Sequence, residues 1–125
     1  IPSVQHVAEL TNEKIKTLET VYLKEWTIYL QIRNDKEMKW HHLERLHVLS
    51  QASLKKHIFI HITMIGEAYK DKNIREFLGQ LIRLFLVIPW HIFHKLPIGN
   101  IGTTRVSAFT PMEIPEDLRY LFPKQ

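Results

Sequence analysis

The chain has 125 residues, 45% hydrophobic and 24% charged, which suits a single folded domain and argues against wholesale disorder. Lys and Arg number 17 against 13 acidic residues, but this excess is scattered, which argues against a nucleic-acid-binding arm. The chain contains no cysteine, so disulfides, cysteine-ligated zinc and thiol catalysis are excluded.

The first predicted helix runs from about Thr11 to Arg33. Apolar residues recur there in steps of three and four, which is the pattern of an amphipathic helix. Thr11 is a suitable N-cap, and Asn34-Asp35 breaks the pattern. An aromatic stripe on this helix is predicted to pack against a partner or a core: Tyr22, Trp26 and Tyr29.

A second amphipathic helix is predicted to begin near Lys36. Between His57 and Ile65 the residues are rich in β-branched side chains, so a strand is the alternative. We favour a helix because no partner strand or hairpin turn is evident nearby. Residues 1–72 are thus predicted to form a soluble helical hairpin region.

The third predicted helix is apolar on nearly all its faces. Asn73 and Glu76 form a capping pattern at its start, and residues 73–98 are predicted to be embedded in a membrane. An arginine near the centre costs about 3 kcal/mol on insertion, which the apolar residues offset by about 3 to 7 kcal/mol. A buried core helix with Arg83 paired at its edge is the alternative. The residues assigned to the membrane helix are Phe77, Leu78, Leu81, Ile82, Arg83, Phe85, Pro89, Trp90, Phe93 and Pro97.

Residues 99–125 are predicted to form an extended, proline-rich tail. One short helix is expected from Pro115 to Leu121, because proline at the first position and acidic residues in the first turn favour a helix start. Leu121 and Phe122 are predicted to contact a partner. The predicted fold class is all-α, with two amphipathic helices, a single-pass membrane helix and this tail.

Eight histidines raise the question of a metal site. They form three groups by spacing: His57 with His61, His91 with His94, and His41 and His42 with His47. A zinc site needs three or four convergent ligands, and there is no HExxH motif or carboxylate in step with either close pair. We therefore interpret the histidines as polar or interfacial, and predict no metal, cofactor or catalytic residue.

The third helix and the tail resemble the LETM family of mitochondrial inner-membrane proteins. The resemblance covers about Arg75 to Pro97, with Arg75-Glu76-Phe77-Leu78 and a Pro89-Trp90 to Phe93 to Pro97 pattern, and more loosely Met112 to Pro123. It implies a single transmembrane helix and a mitochondrial inner-membrane location. Cation–proton exchange and ribosome binding are the activities associated with that family, and the resemblance implies them as further expectations.

These observations predict a non-catalytic accessory subunit of a mitochondrial inner-membrane complex, such as a respiratory complex or an ATP synthase. Its expected partners are other subunits and the lipid bilayer, with no nucleic acid or small-molecule substrate. A basic chain beginning at Ile1 fits the removal of a mitochondrial presequence. One alternative is a truncated LETM-like protein that exchanges cations for protons, with Gln80 and Arg83 as its polar membrane residues. Another is a soluble helical interaction module, with ribosomes as one kind of partner.

Overall fold

The computed structural model describes residues 4–93 and 96–122, with side chains from Asn12 onward. Four α-helices follow one another in the described chain: α1 (Val4–Ile32), α2 (Lys36–Ser50), α3 (Leu54–Lys70) and α4 (Ile74–Ile92). A short 3₁₀ helix, Glu116–Leu121, lies close to the end and overlaps the predicted short helix. The segment between His57 and Ile65 is helical, so the strand alternative is wrong.

A side-chain cap sets the start of three helices. Asp35, Ser53 and Asn73 each accept a hydrogen bond from the backbone N–H three residues further on, at 3.1, 3.4 and 3.1 Å. The Asn73 cap was predicted, whereas the Ser53 cap was not. Because Ser53 opens a new helix, the second predicted helix is in fact two, α2 and α3, which reverse direction at residues 51–53.

The core lies where α2 packs between α1 and α3, and the 3₁₀ helix packs against α1. Its buried members are Tyr22, Tyr29, Leu43, Leu46, Leu49, Ile60, Met64, Leu118 and Leu121. All five residues predicted to contact a partner belong to this region, with Trp26 and Phe122 partly buried against it. Their role in partner binding stays a prediction.

The chain after α4 folds back over the helices. The Thr104 N–H and hydroxyl donate to the Glu76 carboxylate at 3.1–3.2 Å, and the Gln80 amide donates to the Gly102 carbonyl at 2.7 Å. Further along, Arg45 of α2 binds both Glu25 of α1, at 3.0 Å, and Asp117, at 2.7 Å. Residues 96–122 are therefore attached to α4 and to the core at separate points.

The predicted membrane helix is wrong. Within the described residues, no helix combines the length and the apolar character that a membrane crossing needs. The 19-residue α4 buries its polar residues Glu76, Gln80 and Arg83 inside the protein, where α3 and the segment after Pro97 surround them. The predicted mitochondrial inner-membrane location depended on this membrane-spanning helix, so that prediction is wrong as well.

The ten residues assigned to the membrane occupy different environments. Leu78, Ile82, Phe85, Pro89 and Phe93 are exposed, Phe77, Leu81 and Trp90 are partly buried, Arg83 is buried, and Pro97 is buried beyond the helix. The exposed members form an outward apolar stripe opposite the polar face of α4. α4 therefore turns its polar side chains inward and exposes most of its large apolar ones, the reverse of the arrangement that the apolar sequence predicted.

Candidate metal centre

Three buried histidines converge between α2, α3 and the segment that follows α4. His57 and His61 are four residues apart on α3 and therefore share one face of it, while His47 faces them from α2. The Nε2 atom of His47 lies 3.1 Å from Nε2 of His57 and 3.1 Å from Nε2 of His61. None of the three residues is more than 3% exposed. Three imidazole nitrogens thus meet at one point that water hardly reaches.

The tautomer of His47 follows from its partner. Its Nδ1 lies 2.7 Å from the backbone carbonyl oxygen of Asn100, which can only accept a hydrogen bond. Nδ1 must therefore carry the proton. In a neutral imidazole this leaves Nε2 with a free lone pair, directed at the other two histidines.

The tautomer of His61 is determined in the same way by Gln80. The Gln80 amide nitrogen donates to the Glu76 carboxylate at 2.9 Å and to the Gly102 carbonyl at 2.7 Å, which identifies its other atom as the oxygen. That oxygen lies 2.6 Å from Nδ1 of His61, so Nδ1 donates. The Nε2 atom of His61 consequently also presents a lone pair to the centre.

His91 of α4 contacts the outer nitrogen of His57. Its Nε2 lies 3.0 Å from Nδ1 of His57, on the side of the ring that faces away from the centre. Since His91 contacts the outer nitrogen, it orients His57 and does not compete for the same point. Metal-binding histidines generally have an outer hydrogen bond of this kind, which fixes the ring and increases its basicity.

Burial keeps all three imidazoles neutral. Desolvation is the main cause that lowers the pKa of His57 to about 3 and that of His61 to about 4, and it holds the pKa of His47 well below its usual range. The neighbouring histidines lower the pKa of His47 and His57 further. Two neutral nitrogens with facing lone pairs repel each other at 3.1 Å unless a cation lies between them.

The spacing suits a bound transition-metal ion. Zinc–imidazole bonds of about 2.0–2.1 Å in tetrahedral geometry place two ligand nitrogens about 3.3 Å apart. The separations of His47 Nε2 from the Nε2 atoms of His57 and His61, both 3.1 Å, need only a small outward shift to reach this value. Within the described residues, His47, His57 and His61 are the one group whose donor atoms lie close enough together to hold a metal.

Gly102 allows the cover of the site to approach His47. Its φ of +84° lies in the left-handed region, and a Cβ atom there would come within 2.4 Å of the His47 ring. Beside it, a cavity of about 10 Å³ is lined by the three histidines together with Arg83, Trp90 and Pro97. This volume is close to the lower limit for a single water molecule.

The centre combines members of two groups that the sequence analysis kept apart. His57 and His61 were recognised as sharing a helix face, but His47 was grouped with His41 and His42, which lie outside the centre. His94 lies outside the described residues. The signal that was missed is the His-x9-His-x3-His spacing across the turn at 51–53, which only a helix reversal at Ser53 makes convergent.

These features define a small all-α protein with a buried three-histidine centre. The chain belongs to the family described as a protein of unknown function, DUF3703, whose model matches residues 16–122. That range includes the three histidines and their hydrogen-bond partners. No curated protein and no solved structure matches the chain.

The LETM resemblance is wrong. The family match is to DUF3703, and nothing in the comparisons supports a LETM relationship. The residues that carried the resemblance are a helix start at Arg75–Leu78 and two prolines, Pro89 and Pro97, with aromatic residues between them. Such features recur at the start and end of many helices.

Proposed function

We propose that this protein binds one divalent transition-metal ion, with Zn²⁺ as the best-fitting ion, through Nε2 of His47, His57 and His61. One observation carries the proposal: three buried neutral imidazoles direct their Nε2 atoms at a common point, and the outer nitrogen of each ring has its own partner. The repulsion between the Nε2 lone pairs of His47 and His61 is relieved when an ion takes that point.

The ligand set narrows the choice of ion. Neutral imidazoles suit Zn²⁺, Cu²⁺, Ni²⁺ and Co²⁺, whereas Mg²⁺ and Ca²⁺ prefer oxygen ligands, which this centre does not offer among the described residues. Three protein ligands with one further position form a common zinc arrangement. Because the cavity of about 10 Å³ leaves no room for an organic substrate, the proposed role is to hold the ion.

The proposal is tested by titrating metal-free protein with Zn²⁺. The protein is first stripped with a chelator, and binding is followed by calorimetry and by native mass spectrometry. We expect one ion per chain with a Kd below about 1 µM, as a buried three-histidine site provides. Binding that is absent, or that has the same strength after His47, His57 and His61 are all replaced, would overturn the proposal.

Gln80→Leu is expected to weaken Zn²⁺ binding by about 10- to 100-fold although Gln80 does not touch the ion. The substitution removes the oxygen that accepts from Nδ1 of His61, so this ring loses its fixed orientation. Gln31→Leu, an exposed change on α1, serves as the matched control. Equal affinities of the Gln80 variant and the wild type would show that the His61–Gln80 bond does not support the centre.

Gly102→Ala is expected to weaken Zn²⁺ binding and to lower the free energy of unfolding by about 1–3 kcal/mol. The new methyl group requires an unfavourable φ and meets the His47 ring at 2.4 Å, so either the ring or the covering segment must shift. Chemical denaturation and Zn²⁺ titration measure the two effects.

Gly66→Ala is the control for this substitution. Gly66 is helical and exposed, and no atom lies within 4 Å of its new methyl group, so we expect unchanged Zn²⁺ binding and a gain in stability below about 1 kcal/mol. If Gly102→Ala bound Zn²⁺ as tightly as Gly66→Ala, close contact between Gly102 and His47 would be irrelevant to the centre.

A further inference from the structure

Arg83 is a buried cation that forms no salt bridge among the described residues, although Glu76 of the same helix is close enough to act on its charge. It is 8% exposed, and its two terminal nitrogens donate to backbone carbonyls: Nη1 to Gly79 at 3.1 Å, and Nη2 to Thr103 at 3.3 Å and Val106 at 2.9 Å. Its Nε–H is buried and has no partner in the described part of the chain. A buried donor of this kind usually has an acceptor, so the unpaired Nε–H of Arg83 calls for an explanation.

The unpartnered guanidinium lines the same small cavity as the three histidines. As a lining residue of this small cavity, Arg83 is close enough to act on the centre electrostatically. A dication bound there would face a second positive charge in a poorly hydrated site, which is unfavourable unless an anion lies between them.

We propose that the fourth position on the metal is taken by an anion of one heavy atom, which accepts a hydrogen bond from Nε of Arg83. This inference rests on the metal site proposed above. The anion is exchangeable: it is hydroxide, formed when a metal-bound water releases one proton to solvent, and a halide ion in solution replaces it. Both carry a negative charge to the space between the two cations, where the cavity of about 10 Å³ is close to the minimum for a single water-sized ligand.

X-ray absorption at the zinc edge tests this on the intact Zn²⁺-loaded protein. In halide-free buffer we expect three imidazole nitrogens and one oxygen bound to zinc. In bromide buffer we expect the heavier bromide to replace that oxygen. This replacement distinguishes an exchangeable ligand from an oxygen atom of the protein. Four imidazole ligands, or a ligand set that bromide leaves unchanged, would overturn the inference.

Arg83→Met tests the role of the guanidinium. We expect it to keep one zinc per chain while raising the bromide concentration for half-replacement at least about tenfold, as the loss of a charge-assisted hydrogen bond implies. Arg75→Met removes an exposed arginine from the same helix and is expected to leave that concentration unchanged. An equal bromide response of wild type and Arg83→Met would contradict the assignment to Arg83.

The two proposals fail in different ways. If wild-type protein binds no zinc, the metal site itself is wrong and the anion falls with it. If zinc binds fully but its fourth ligand comes from the protein, only the anion is wrong. Should Arg83→Met fail to fold, the absorption measurement on the wild type still decides between these outcomes.

Discussion

Replacing His61 with Asn is expected to lower the affinity for Zn²⁺ by at least about 100-fold. The Asn side-chain nitrogen can take the place of Nδ1 and keep the hydrogen bond to Gln80, so the change removes little besides the ligand atom Nε2. His47→Asn is designed in the same way, since Asn can still donate to the Asn100 carbonyl. Competition with a chromophoric chelator measures both affinities.

His41→Asn provides the matched control for these two variants. His41 is exposed on α2 and lies outside the centre, so its replacement is expected to leave the Zn²⁺ affinity unchanged. If all three Asn variants bound Zn²⁺ equally well, the ion would be held somewhere other than at the buried histidines.

Acid is expected to unfold the metal-free protein between about pH 4 and 6. The pKa values of His57 and His61 are about 3 and about 4 in the folded state, whereas a histidine in an unfolded chain has a pKa of about 6.5. Below about pH 6.5 the unfolded chain therefore binds protons that the folded protein does not, and stability falls as the pH falls towards the folded values. The pKa of His47 is also lowered, so up to three protons act together.

The size of this effect follows from the number of protons. Each contributes about 1.4 kcal/mol per pH unit, so three give a slope near 4 kcal/mol per unit against a typical stability of about 5–15 kcal/mol. Two titratable neighbours of the centre, Arg83 and His91, both have lowered pKa values and do not reverse the sign. The carboxyl groups of Glu67 and Asp71 also have lowered pKa values, but they titrate at lower pH.

Denaturant unfolding at a series of pH values, with a chelator present, checks this prediction. His47→Asn should reduce the slope by about one proton, or about 1.4 kcal/mol per pH unit. Saturating Zn²⁺ should protect the wild type, by about 4 kcal/mol at 1,000 times Kd, until acid displaces the ion from the imidazoles. A slope that is the same in wild type and in the Asn variants would mean that the three histidines are not buried as neutral groups.

The helical character of the chain was largely readable from its sequence, since spacing, caps and proline positions are local signals. The error at α4 has a physical cause. Hydropathy sums the residues of a helix without regard to what lies beside each face. Glu76, Gln80 and Arg83 each have a hydrogen-bond partner 20 to 28 residues away in the segment after Pro97. Those long-range bonds let polar residues turn inward and leave the apolar ones outside.

Part of the candidate metal centre could also be predicted from the sequence. The four-residue spacing of His57 and His61 correctly predicted a shared helix face, and the third ligand lay only ten residues earlier at His47. Recognising it required knowing that the chain reverses at Ser53 and does not continue as one helix. The roles of Asn100 and Gly102 depend on the course of an irregular segment, for which the sequence carries no periodic signal.

The cover over the three histidines has a consequence for how long an ion stays bound. With each ligand at most 3% exposed, an ion has no open route to solvent, so release must wait until the segment around Gly102 separates locally from α2. The residence time is then set by a fluctuation of the protein and not by the strength of an external competitor. Adding more chelator would then not hasten the departure of a Zn²⁺ ion bound as proposed.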